Sequence, residues 1–161
     1  GEKRVMSFLK ALTMVNGKWR MDVYGDGADL KRAQRYVSRH GLKVVFHGVA
    51  KFEKVQKAIS ESHLDVLASY NFDDYPMTLV EAEACGVPVF FCDPDMKEAV
   101  PAGGYVLADG PAPEEMAAAL SDLLAHPERI EKMSAVMIRH RKEVLISERI
   151  KKVEKVLCGK G

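Results

Sequence analysis

The sequence is short of cysteine, of long apolar runs and of any excess of charge. Its three cysteines, Cys85, Cys92 and Cys158, share no metal-ligand spacing and make no even set. They read as reduced thiols of a cytosolic protein, not as a disulfide framework. No apolar run approaches the length of a membrane span. The opening Gly1-Glu2-Lys3-Arg4 leads into no apolar stretch with a small-residue cleavage site, so it does not read as a signal peptide. Lys and Arg number 24 against 23 Asp and Glu. Without a basic field to neutralise phosphates, a dedicated nucleic-acid binder is not expected. The five histidines, His40, His47, His63, His126 and His140, are scattered and form no ligand pair at helical spacing. What remains is an ordinary folded composition, 47% apolar over 161 residues. That is enough for one domain with its own core.

Helix and strand signals alternate along the chain. Val5, Phe8, Leu9, Leu12 and Val15 share a helical face. Residues 19–24 read as a strand ending at Gly25-Asp26-Gly27. Leu30, Ala33 and Val37 mark a second helix, closed by Gly41. Residues 43–46 are a strand ending at His47-Gly48, and Phe52, Val55 and Ile59 mark a third helix. Residues 64–69 form a strand that leads into the polar loop 71–75. Pro76 suits the first position of a helix running to about Cys85, where Gly86 stops it. Residues 87–92 are nearly all apolar, as in a strand buried on both faces. Residues 104–107 make a short fifth strand. Pro113, Glu114 and Glu115 open a helix with Met116, Leu120, Leu123 and Leu124 facing the core. Ile130, Met133 and Met137 carry another helix. Ser147 caps a last one bearing Ile150, Val153 and Leu157.

This alternation, with short connections, implies parallel strands joined by right-handed crossovers: a three-layer α/β/α sandwich with a Rossmann-like parallel sheet. Ligands of such sheets bind beyond the carboxyl ends of the strands. Those ends fall at 25–27, 47–50, 69–75 and 92–95. The most informative of them opens Ser69-Tyr70-Asn71-Phe72-Asp73-Asp74-Tyr75-Pro76-Met77-Thr78-Leu79-Val80-Glu81. It reads as a strand end, an acidic loop and a helix start whose Met77 and Thr78 N–H groups suit a phosphate. Glu81 falls one turn further, on the face of Met77 and Thr78. With Asp73 before the anion site and Glu81 behind it, two carboxylates stand ready to accept hydrogen bonds from sugar hydroxyls.

This segment resembles the signature of glycosyltransferase family 4, of the GT-B fold class. In that signature two glutamates are separated by seven residues, within E-x-F-P-x-x-L-x-E-A-x-A-x-G-x-P-V. Tyr75, Pro76, Leu79, Glu81, Ala82, Ala84, Gly86, Pro88 and Val89 fit it. Asp73 replaces the first glutamate, and Glu83 stands where an apolar residue is usual. The likeness extends over nearly the whole chain. Glu2-Lys3 resembles the family's E-K pair, Val23-Tyr24-Gly25-Asp26-Gly27 its strand ending in G-x-G, and Val45-Phe46-His47-Gly48 its V-x-F-x-G. Residues 65–69 resemble its D-V-x-x-x-P-S strand, and Lys97-Glu98-Ala99-Val100 its E-V-V segment.

The resemblance implies a role for each position. Asp73 would touch the donor sugar, and the backbone of Tyr75, Pro76, Met77 and Thr78 would hold diphosphate and sugar. Glu81 would bind the ribose hydroxyls. His47, Gly48 and Val49 would lie near the base, beside the turn at Gly25, and Lys3 matches the diphosphate lysine. It further implies a donor-binding C-terminal domain, residues 1–161, of a retaining hexosyltransferase in glycan biosynthesis. Its partners would be a nucleoside diphosphate sugar and an N-terminal acceptor domain of the same protein. The implied protein is cytoplasmic and needs no metal or cofactor. Alone, the chain is expected to fold as a monomer and to transfer no sugar.

Competing readings fit less well. Gly25-x-Gly27 lacks the third glycine of a dinucleotide fingerprint, since Leu30 stands there. A pyridoxal phosphorylase needs a cofactor lysine, and the related epimerases carry a D-S-G-G-like segment that is absent here. A receiver-like signalling module needs an aspartate after its third strand, where this chain has Ala68-Ser69-Tyr70. Asp73-Asp74 before Pro76 also suits an ordinary turn. Arg139-His140-Arg141-Lys142, with Lys151, Lys152 and Lys155, is either a solvated face or a peripheral membrane contact.

Overall fold

The computed structural model describes residues 4–71 and 76–143. Helices and strands alternate as α1 (Val5–Leu12), β1 (Met21–Tyr24), α2 (Leu30–His40), β2 (Val44–Gly48), α3 (Phe52–Ser60) and β3 (Asp65–Leu67). Then follow α4 (Met77–Cys85), β4 (Val89–Phe91), a 3-10 helix (Pro94–Ala99), β5 (Tyr105–Leu107), α5 (Pro113–Ala125) and α6 (Glu128–His140). All strand pairings are parallel. The helix expected after Ser147 lies outside the described residues.

The strands form two ladders, β1–β2 and β3–β4–β5, where one continuous sheet is expected from the alternation. Periodicity marks a strand but not its neighbour, so this division is a finding of the structure. In the larger ladder the side chains of β4 alternate across the sheet. Phe90 joins a core made with Phe8 and Leu9 of α1, Ala33 and Val37 of α2, and Met116, Leu120 and Leu123 of α5. Val89 and Phe91 join a second core with Ile59 of α3, Leu79 and Ala82 of α4, and Met137 of α6. Period-2 alternation thus supplies both outer layers of the sandwich. The all-apolar reading of this strand is met: Val89, Phe90 and Phe91 are all 0% exposed.

Helix α4 is anchored at its C-terminal end. Gly86 caps it in the left-handed conformation (φ 75), with its N–H bonded to the Glu83 carbonyl at 2.9 Å. A Cβ there would lie 2.6 Å from Cγ1 of Ile138, so α6 crosses where only glycine fits. Ser134 of α6 donates to the Gly86 carbonyl at 2.7 Å. At the other end Pro76 is the residue before the first turn (φ −70, ψ 127), one place earlier than expected. Proline suits either position, because neither needs its missing N–H inside the helix. Glu83, polar where the pattern calls for an apolar residue, is buried on α4.

Candidate functional site

The expected site residues fall at two carboxyl ends. At the first, Gly25, His47, Gly48 and Val49 come together. The Gly25 N–H donates to the Gly48 carbonyl at 2.7 Å, joining the exits of β1 and β2. Gly25 has φ 111, a conformation open to glycine and strained for other residues. The register slips by one residue between Val23 and Tyr24, so that Tyr24 pairs with Gly48. This irregularity re-aims Tyr24, as bulges at sheet ends do.

The rings of Tyr24 and His47 stack, with centroids 4.5 Å apart and planes 7° from parallel. His47 Nε2 lies 2.7 Å from Oδ1 of Asp22, and Arg20 donates its Nε to Oδ2 of the same carboxylate at 3.0 Å. The hydrogen bond with His47 is the main influence holding the Asp22 carboxyl below its usual range. His47 is therefore fixed in orientation by a carboxylate on the neighbouring strand. Sequence reading missed Asp22 and Tyr24. Their signal was a polar residue inside a strand, two places before an aromatic on the same face. Val49 is largely exposed, as is Phe52 at the start of α3.

The second carboxyl end follows β3, at the N-terminus of α4. Met77 and Thr78 are exposed there, and among the described residues no side chain caps the first turn, which Pro76 precedes. The Leu79 N–H bonds to the Pro76 carbonyl at 3.1 Å. The N–H groups of Met77 and Thr78 lie ahead of it, at the positive end of the helix dipole, an arrangement that favours an anion. Glu81 sits one turn further, partly buried. It is close enough to Asp65, on β3, for its charge to add to the effect of burial, which drives the Asp65 carboxyl up to about 6. Asp65 Oδ2 is shut off from solvent and has no hydrogen-bond partner among the described residues. Burial likewise pushes the Cys85 thiol upward.

Asp73 and Tyr75 lie outside the described residues, as does Lys3. Beside Lys3, Arg4 adopts the left-handed conformation (φ 49) and ties the start of α1 to the loop after β5, donating to the Pro111 carbonyl at 2.8 Å. Sequence reading also missed Asp93. It is 3% exposed and accepts the Asn71 N–H at 2.6 Å, just where the loop after β3 begins.

Known proteins resemble this chain in sequence and in fold. The chain is 34% identical over 97 residues to the lipopolysaccharide 1,6-galactosyltransferase of Escherichia coli K12, matching 58% of this chain and 27% of that protein. It is 31% identical over 84 residues to the alpha-galactosylglucosyldiacylglycerol synthase of Streptococcus pneumoniae, covering 52% of this chain and 22% of the relative. It thus spans about a quarter of the length of these relatives. Among solved structures, the Anabaena protein HepE in complex with UDP and glucose superposes with a TM-score of 0.79 at 17% identity. That match covers 98% of this chain and 45% of HepE. The pneumococcal O-GlcNAc transferase GtfA, in complex with UDP and GlcNAc, gives 0.80 at 19% identity, covering 96% of this chain and 33% of GtfA. These likenesses establish the fold. The family model described as Glycosyl transferases group 1 matches residues 1–126, and the chain belongs to that family.

Proposed function

We propose that this chain is the donor-binding part of a retaining hexosyltransferase that takes a sugar from a nucleoside diphosphate and passes it to an acceptor hydroxyl. The observation that carries the reading is the exposed first turn of α4, Met77 and Thr78, with Glu81 one turn behind it, at a strand's carboxyl end. The amides of Met77 and Thr78 hold the diphosphate. Glu81 accepts hydrogen bonds from the ribose hydroxyls, and Asp73 does so from the sugar. Lys3 adds charge at the diphosphate, and the base lies by His47, Gly48 and Val49. Uridine is the favoured base, because HepE and GtfA are both seen with UDP.

In the reaction the bond from the anomeric carbon to the diphosphate breaks, a bond to the acceptor oxygen forms on the same face, and the acceptor hydroxyl's proton passes to the departing diphosphate. Negative charge grows on the leaving diphosphate, and the helix end and basic side chains stabilise it without a metal. An N-terminal part of the same protein supplies the acceptor. Half a cleft cannot position two substrates, so this chain alone transfers no sugar. No described helix is long and apolar enough to cross a membrane. We place the protein in the cytoplasm, with the lipopolysaccharide and glycolipid relatives favouring work beside a membrane.

The test is calorimetric titration of the chain with UDP and with UDP-galactose. Glu81→Ala should weaken UDP itself by about 1.5–3 kcal/mol, the range for a hydrogen bond to a charged group. Asp73→Ala should weaken UDP-galactose and leave UDP nearly unchanged. An unaltered affinity in Glu81→Ala, with binding established in the parent, removes the assignment.

A further inference from the structure

We propose that the outer face of α2 is a docking surface for a membrane of anionic lipids. The choice of lipid as partner rests on the place beside a membrane proposed above. Helix α2 carries Lys31, Arg32, Arg35, Arg39 and His40 and no carboxylate. At about 3.6 residues per turn, Lys31, Arg32, Arg35 and Arg39 fall within about 100° of arc, opposite Ala33 and Val37. Ala33 and Val37 are buried in the core, and the four cations are exposed. Lys31, Arg35 and Arg39 follow one another at i,i+4 spacing. Each therefore meets a like charge one turn away, an arrangement that weakens a helix. Lys43 follows, exposed, just past the cap at Gly41.

Other exposed helix faces of this molecule mix their charges. At the end of α3, Nζ of Lys57 lies 3.7 Å from Oε1 of Glu61, one turn on. Helix α6 interleaves Glu128, Arg129, Glu131 and Lys132. On α2, Arg32 has Asp29 at 4.0 Å, ahead of the helix. Arg35 donates to the Lys31 carbonyl at 3.3 Å, and among the described residues Lys31 and Arg39 form no ion pair. The whole chain carries 24 Lys and Arg against 23 Asp and Glu, so this charge is a local feature and not part of a general basic field. Such a distribution suits a surface met on one face and disfavours a nucleic acid. The apolar side of α2 is taken by the core, so the helix does not insert. The contact is between lysine and arginine heads and lipid phosphates, reversible and screened by salt. Helix α2 runs back from the exit of β1 to the entry of β2, with its cations turned away from the core. Docking is thus made on a helix layer and not at the strand exits where the donor is proposed to bind.

The experiment measures co-sedimentation of the chain with vesicles of phosphatidylcholine alone and of an equal mixture with phosphatidylglycerol. Binding should require phosphatidylglycerol and fall away as salt is raised. Arg35→Gln should weaken it about fivefold and Arg35→Glu about tenfold or more, as for charges near an anionic surface. Arg35→Glu also gives Lys31 and Arg39 an opposite charge one turn away, so its melting temperature should not fall. Arg139→Glu, in the basic stretch Arg139-His140-Arg141-Lys142, should leave vesicle binding nearly unchanged. Binding that is absent, indifferent to phosphatidylglycerol, or lost equally in Arg35→Glu and Arg139→Glu overturns the inference. Release of the chain from vesicles by duplex DNA at matched charge overturns it too, and makes the partner a nucleic acid. Calorimetric titration with UDP should give one affinity for the parent and Arg35→Glu. A chain that binds UDP and no vesicles leaves the donor-site reading standing; one that binds vesicles and no UDP removes that reading alone.

Discussion

The two ladders are built to different standards. Every residue of β4 is fully buried, whereas none of β1 is. Val45 of β2 is 45% exposed, although it lies inside a strand. On one face of the smaller ladder Met21, Val44 and Phe46 pack against the shared core. The residues that alternate with them include Asp22 and His47, joined by a hydrogen bond and only partly buried. Helix layers on both faces make the larger ladder a foundation. The thinner cover of the smaller one leaves Asp22 and His47 only partly buried at the sheet surface. Burial is thus concentrated in the larger ladder, while the proposed donor contacts fall at the exits of both.

The comparison can be broken most sharply at its centre. Phe90→Ala should cost about 3–5 kcal/mol of stability, the range for emptying a phenylalanine site in a core. Val45→Ala in the other ladder should stay within about 0.5 kcal/mol. Chemical denaturation of both variants measures the difference, and comparable losses would mean the ladders share the load. Gly86→Ala comes next, at roughly 2–3 kcal/mol, from left-handed strain together with the approach of Ile138. The same measurement applies, and a loss below about 0.5 kcal/mol would show that α6 can shift at no cost.

Two aspartates sharpen the contrast, because their environments act in opposite directions. Asp65 on β3 is raised from 3.8 to about 6, first by burial and then by the charge of Glu81. The folded chain binds that proton more tightly than the unfolded chain does. Stability from this group is therefore full below 3.8 and is lost as pH rises to about 6. The loss is on the order of 3 kcal/mol. Asp65→Asn should flatten the stability profile across that window, and a slope equal to the parent's would refute the assignment. Asp22 on β1 is lowered, chiefly by the His47 hydrogen bond. Its contribution is present above 3.8 and fades as pH falls through the folded value. Asp22→Asn should cost no more than about 1 kcal/mol at neutral pH, the scale of a partly exposed pair. That cost should vanish in acid, which a series of melting curves would detect.

Much of this fold was legible before any coordinates. The 3.6- and 2-residue periods located the five strands and the helices α1 to α6, and Gly41 and Gly86 mark the helix ends they were expected to mark. The expected strand at 19–24 shortens to Met21–Tyr24, since Trp19 and Arg20 lie ahead of the ladder. Pattern does not carry pairing, so the division between β1 and β3 was invisible. The site was legible where its residues are adjacent in sequence, as at Gly48 and Val49 or Pro76, Met77 and Thr78. It was not legible where register creates it. Asp22 meets His47, 25 positions away, only once β1 and β2 are aligned. Asp93 meets Asn71 only across β3 and β4. Asp73, Tyr75 and Lys3 lie outside the described residues, so their assignment rests on the family signature.

The division of the sheet also bears on how the molecule meets its own copies. Among the described residues β1 bonds only to β2, and β3 only to β4. Each therefore has one backbone side without a ladder partner among the described residues, the kind of edge that proteins protect by shortness, cover or charge. The edges are short, four residues and three. Charge guards β1, with Asp22 inside it and Arg20 just before it, and cover guards β3, where Leu67 and Oδ2 of Asp65 are shut off from solvent. Such edges are poor templates for a second chain, so the protein should keep a monomer's light scattering as its concentration is raised.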